Sequence, residues 1–320
     1  MNQKPTKLFK YYKNRNYVLE TLTNNQLHFS TADKFNDPYD CYIGINKREF
    51  YCKYFVKLLN ETNNTELANE FENQFLLHPL MENKNLNPVE EFILLKSKKF
   101  NLDLSPIAFK VTERYVEYVK RIYKLKKSVF ICCFSNSDLE SSMQMWAYYA
   151  NNYNGYCCTY EIPKNSKNKK LQNLANVFYE HLHPITYTDQ LINVDIDKLI
   201  ELDPKKLTLS PYINKLVFQA SISKYKKWEN ESEYRLIFTK DEFVSCGGNL
   251  KTGQIYFPFL KQITLGRDIP KEKQALFLEK LKNVEINKIS YSFNEYKLTK
   301  DWDEDTVYHN LKIKLGIKEE

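Results

Sequence analysis

"SVFICCFS", residues 128–135, sets six apolar side chains in a row between two serines. The run is far too short to span a bilayer and too continuous for a half-exposed strand. It reads as a strand covered on both faces, and such a strand needs sheet neighbours on either side. Downstream, "GYCCTYEI" (155–162) has the same character, and "SEYRLIF" (232–238), "QIYFPF" (254–259) and "QITLG" (262–266) are further strands. Upstream, "TKLFKYY" (6–12), the short helix "NYVLETL" (16–22) and "QLHFS" (26–30) form an opening strand–helix–strand. A closing strand is expected near 287–296.

Between 46 and 127 the period changes. "KREFYCKYFVKLLN" and "TELANEFENQFLLH" repeat apolar residues at spacings of three and four, and Ser105-Pro106 opens a long helix. With no linker of its own, 46–127 reads as a helical insertion within a single domain, 1–320. Ser137 to Glu140 fits a capping box that starts a helix through "MQMWAYYA" (143–150), which Asn151, Asn152 and Gly155 stop. Further helices are expected around 190–202, 211–226 and 271–281. Hairpins interleaved with unevenly spaced helices define an α+β class with a mixed sheet and flanking helices.

Composition excludes several classes. A chain 42% hydrophobic and 15% aromatic can bury a substantial core. The start, "MNQKPTKLFKYY", lacks an apolar signal region, so a cytoplasmic location without membrane attachment is expected. Cys132, Cys133, Cys157 and Cys158 lie in strand-like runs and read as reduced core residues. No CxxC accompanies His181 and His183, so no metal site is expected. The seven glycines spell neither GxGxxG nor a P-loop, so a nucleotide would be held without a glycine-rich cradle. The net charge of +7 fits a polyanion partner, but Lys, Asn, Tyr and Ile enrichment along the whole chain explains it at least as well.

Three stretches carry possible chemistry. If 229–238 is a strand, Glu231, Glu233 and Arg235 share one face, and Arg235 holds Glu233 ionised. The plain alternative is an edge-strand ion pair. On the helix 143–150, Trp146, Tyr148 and Tyr149 are either core or a surface for stacking a flat heterocycle. In "KFNDPYDC" (34–41), Pro38 fixes a turn whose amides Asn36 and Asp37 can cap; the surplus of polar groups, with Asp40, suggests a pocket wall.

The opening strands, "CFSNSDLESSMQMWAYYANNYNGYCCTYE", "KYKKWENESEYRLIF" and "ITLG" together resemble the bacterial family labelled domain of unknown function 2971. The likeness runs from the first strand to about residue 290 and is least recognisable in the helical insertion. A weaker resemblance is to ADP-ribosyltransferases of the nucleic-acid-modifying kind. It implies a split-sheet fold and an NAD-dependent transferase, a toxin or antiphage effector acting on nucleic acid or protein. In that likeness the ExE of the closing strand corresponds to Glu231, which orients the nucleophile, and Glu233, the catalytic carboxylate. Lys10, where that superfamily has His or Arg, would contact NAD beside Tyr11 and Ser30. Phe35, Asn36, Asp37 and Asp40 would cover the pocket. Ser135, Arg235, Trp146, Tyr148 and Tyr149 would complete the NAD site. Two other readings stay open: a non-catalytic sensor or binding module working with a partner from a defence operon, and a metal-dependent nuclease using Asp37, Asp40, Glu231 and Glu233.

Overall fold

The computed structural model describes residues 4–76, 88–90, 92–93, 103–137, 142–292, 294, 298–301 and 304–316. The chain divides into two compact units. One comprises residues 1–35, 128–188 and 222–320; the other, residues 36–127 and 189–221.

The first unit is α+β. Its strands are β1 (Lys7–Tyr12), β2 (Gln26–His28), β3 (Ser30–Thr31), β4 (Val129–Ser135), β5 (Tyr156–Glu161), β6 (Leu182–Pro184) and β7 (Thr186–Thr188). They continue with β8 (Ser223–Tyr225), β9 (Glu233–Thr239), β10 (Gln254–Tyr256), β11 (Leu260–Leu265), β12 (Glu285–Tyr291) and β13 (Leu298–Asp301). A nine-stranded mixed sheet runs β13-β12-β11-β5-β1-β4-β9-β6, with β3 also on β4. β11 and β12 pair in parallel; β1, β4, β5 and β9 pair antiparallel. β2 with β10, and β7 with β8, form two small ribbons.

The apolar run of β4 is explained by burial on both faces. Phe130, Cys132 and Phe134 enter a core with Leu236, Phe238, Phe178 and Phe257. β5 divides its adjacent cysteines the same way: Cys158 joins that core, and Cys157 joins the opposite one with Phe9, Tyr11 and Trp146. Alternation of side chains along a strand requires this. Asn151, Asn152 and Tyr153 adopt φ of 52°, 49° and 66° and end the helix Met143–Tyr149. Gly155 follows because a Cβ there would lie 2.1 Å from the Tyr12 carbonyl oxygen. Of the capping box expected at 137–140, Ser137 donates its hydroxyl to Asn230 O at 3.4 Å, and residues 138–140 lie outside the described residues.

After β9, the helix Lys240–Ser245 starts with a capping box. Thr239 Oγ1 accepts from the Glu242 amide at 3.3 Å, and Glu242 Oε2 accepts from the Thr239 amide at 2.8 Å. Thr239→Ala is expected to cost about 1 kcal/mol, read as a lower urea midpoint with an unchanged m-value.

The second unit is helical among its described residues, with helices Lys47–Glu61, Thr65–Phe71, Ser105–Lys126, Ile196–Ile200 and Pro211–Ser221. Phe50, Phe55, Phe71 and Tyr118 are buried within it. The long helix has Pro106 in its first turn, as expected, but Asp103 supplies the oxygen that accepts the Ser105 amide, at 2.9 Å. No helix among the described residues is long and apolar enough to cross a membrane.

Candidate functional site

The strand that carries Arg235 begins at Glu233, later than the alternating pattern suggests. Residues Lys226–Glu231 form a 3-10 helix, and Ser232 turns through left-handed geometry at φ 45°. Glu and Asn disfavour extended structure, and here local turns win. The Ser232 amide bonds back to Glu229 O at 3.0 Å, and Ser135 Oγ donates to Glu231 O at 2.8 Å. Glu231 and Glu233 therefore do not meet by strand alternation.

They meet through a lysine. Lys224 Nζ, on β8, lies 2.5 Å from Glu231 Oε2 and 2.8 Å from Glu233 Oε2. Arg235 Nε donates to Glu233 Oε1 at 2.6 Å, and Tyr149 Oη donates to Glu231 Oε1 at the same distance. Tyr187 Oη accepts the Glu233 amide at 2.8 Å. All four charged side chains are buried, and the Arg235 guanidinium stands 5.2 Å from the Phe35 ring.

Burial alone would neutralise such groups; here opposite charges prevail. Burial opposes ionisation of Glu233, yet Arg235 and Lys224 outweigh it and hold the carboxyl down at about 2. Burial likewise works against the Lys224 ammonium, and the two carboxylates push its pKa above the ordinary lysine range. Burial, then Glu231, raises the Tyr149 phenol, which stays a proton donor. Cys133 is driven the same way by burial and Glu233, so it is a neutral thiol and not a nucleophile.

Of the residues singled out in the sequence, the structure gathers Glu231, Glu233, Arg235, Tyr149, Phe35 and, through its hydroxyl on the Glu231 backbone, Ser135. Lys10 goes elsewhere. Phe9 pairs with Ser135, which pairs with Glu233, so these three share one sheet face and Lys10 points to the other. There its ammonium bonds Cys133 O at 2.9 Å over the Tyr12 and Phe134 rings. Tyr11 packs edge-on against Trp146 at 5.4 Å, so both are core. Ser30 pairs with Ile131, four residues along β4 from Ser135, about 13 Å away. Asn36, Asp37 and Asp40 belong to the second unit, where Asp37 caps the Tyr39 amide at 2.9 Å. Tyr148 is 62% exposed and meets Trp228 edge-on at 6.4 Å.

Sequence reasoning missed Lys224, Tyr187 and Trp228. The signal was present in "SKYKKW" (223–228), where a lysine on a short strand precedes the glutamates by seven and nine residues. Without the β7–β8 pairing, nothing distinguished Lys224 from the other lysines. A groove of about 1220 Å³ opens in the second unit between helices Lys47–Glu61 and Ser105–Lys126. Its lining carries five basic and five acidic side chains, so charge selects no ligand there.

These features define a mixed α+β protein with a buried lysine-bridged carboxylate pair on one sheet face. Residues 145–236 match the family described as Protein of unknown function (DUF2971). The matched stretch includes Tyr149, Lys224, Glu231, Glu233 and Arg235. No curated protein and no solved structure matches the chain.

Proposed function

We propose that the Glu231–Glu233 pair serves NAD-dependent ADP-ribosyl transfer, in a protein of the toxin or antiphage-effector kind. The observation that carries the reading is Lys224, whose ammonium is held between two buried carboxylates at 2.5 and 2.8 Å. A site built to hold a cation suits the positive charge that develops on a ribosyl carbon as nicotinamide departs. The glycosidic bond breaks with its electron pair going to the nicotinamide nitrogen; the acceptor's nucleophilic atom forms the new bond and gives its proton to solvent. Glu233 is the catalytic carboxylate, Glu231 with Tyr149 orients the attacking group, and Lys224 withdraws as the donor enters. Lys10, turned to the other face of the sheet, has no role in this reaction.

Wild-type protein is expected to release nicotinamide from labelled NAD in the presence of acceptor, with a rise in Tm on adding NAD. Glu233→Gln should lower the release about 10²-fold. A wild-type protein that neither releases nicotinamide nor shifts its Tm with NAD overturns the reading.

A second reading, a non-catalytic binding module, is favoured by the charge closure. Lys224 and Arg235 already neutralise both carboxylates, as in a network that only fastens β8 to β9. The same closure gives a metal-dependent nuclease less support, because a divalent cation would have to displace Lys224.

A further inference from the structure

The segment Tyr225–Trp228 places two lysines between two aromatic rings immediately before the carboxylate cluster. Tyr225 is 43% exposed, Lys226 and Lys227 are exposed, and Trp228 is partly exposed beside the exposed ring of Tyr148. Lys227 Nζ stands 5.7 Å from the Tyr225 ring centre, and Lys224 Nζ stands 5.6 Å from that of Trp228. Trp228 therefore touches the same ammonium that bridges Glu231 and Glu233. Rings gathered at one stretch of surface beside exposed lysines suit a partner with flat apolar faces and negative charge. Unpaired nucleobases on a phosphate backbone have both features, and stacking on exposed rings with lysines along the backbone is how single strands are held. An acidic peptide would use the lysines and leave the rings idle. Glu229 is the single carboxylate among residues 223–230, so positive charge prevails on the segment.

We propose that Tyr225, Lys226, Lys227 and Trp228, with Tyr148, form a platform for single-stranded nucleic acid at the approach to the carboxylate cluster. This deepens the proposed activity by naming its acceptor class and rests on that reading only for the word acceptor; binding itself needs no NAD. The stacking rings set the base, and the two lysines set the backbone.

The test uses the full chain without NAD and fluorescein-labelled 12-mer single strands, DNA and RNA, followed by anisotropy across a salt series. Both strands should bind more tightly than a duplex of the same sequence. Trp228→Ala should weaken binding roughly 10-fold, and Tyr148→Ala, at a well-exposed ring, should weaken it in the same direction. Lys226→Ala with Lys227→Ala should reduce the log–log salt slope by roughly 1.4. Binding is read without NAD, which separates this result from the fate of the NAD reading. No single-strand binding at 50 mM salt overturns the proposal. So does binding that Trp228→Ala and Tyr148→Ala leave unchanged, or that duplex or polyglutamate matches.

Discussion

Lys224→Met is expected to lose about 3–5 kcal/mol of stability at pH 7, the scale of removing one member from a buried ionic network. Methionine fills much of the lysine's volume, so the loss reports charge more than packing. The change leaves Glu231, among the described residues, with the Tyr149 hydroxyl as its side-chain partner, and takes one of two cations from Glu233. The double variant Lys224→Met, Glu231→Gln should recover a large part of the loss, because it removes the stranded anion. Urea unfolding of the four proteins of this cycle gives the coupling between the two residues directly. A loss below 1 kcal/mol for the single variant would show that the network is hydrated and weak.

Acid should expose the other half of the same network. The Glu233 carboxyl titrates near 4.5 in the unfolded chain and at about 2 in the folded protein. Between those limits the unfolded chain binds more protons, so the folded state loses stability as pH falls. The contribution is complete above pH 4.5 and disappears as pH approaches 2. Its size is about 3 kcal/mol. Glu233→Gln should flatten that part of the stability–pH curve, measured by urea midpoints at half-unit intervals. If wild type and Glu233→Gln fall in parallel from pH 5 to pH 3, Glu233 is not the group responsible. At the alkaline end the sign is opposite: Lys224, raised in the folded state, contributes below its ordinary pKa and loses that contribution only at higher pH.

The elements that were legible in the sequence are those whose pattern is set by burial alone. The runs around 129–135, 156–161 and 233–239 are strands, and the helical period of 47–61 and 105–126 is obeyed. What pattern does not encode is which strand neighbours which. β1 sits between β4 and β5, and that register sends Lys10 to the face away from Glu233. An ExE spacing predicts alternation, whereas a left-handed Ser232 and a 3-10 turn carry Glu231 to the same lysine by another route. Lys224 escaped notice because a buried lysine and a solvated one have the same letter; only its two carboxylate neighbours separate them. On the aromatic helix, Met145, Trp146 and Ala150 are buried, while Met143 and Tyr148 are exposed.

The strand order also bears on how the polypeptide emerges during synthesis. β1 leaves the ribosome before its neighbours, yet it needs β5, more than a hundred residues later, and β5 needs β11 on its far edge. Until Leu265 has been made, β5 presents an unsatisfied hydrogen-bonding edge beside cysteines and aromatic rings, the kind of surface on which nascent chains aggregate. Closing such distant pairs is slow, so this chain should depend on chaperones while it is being translated.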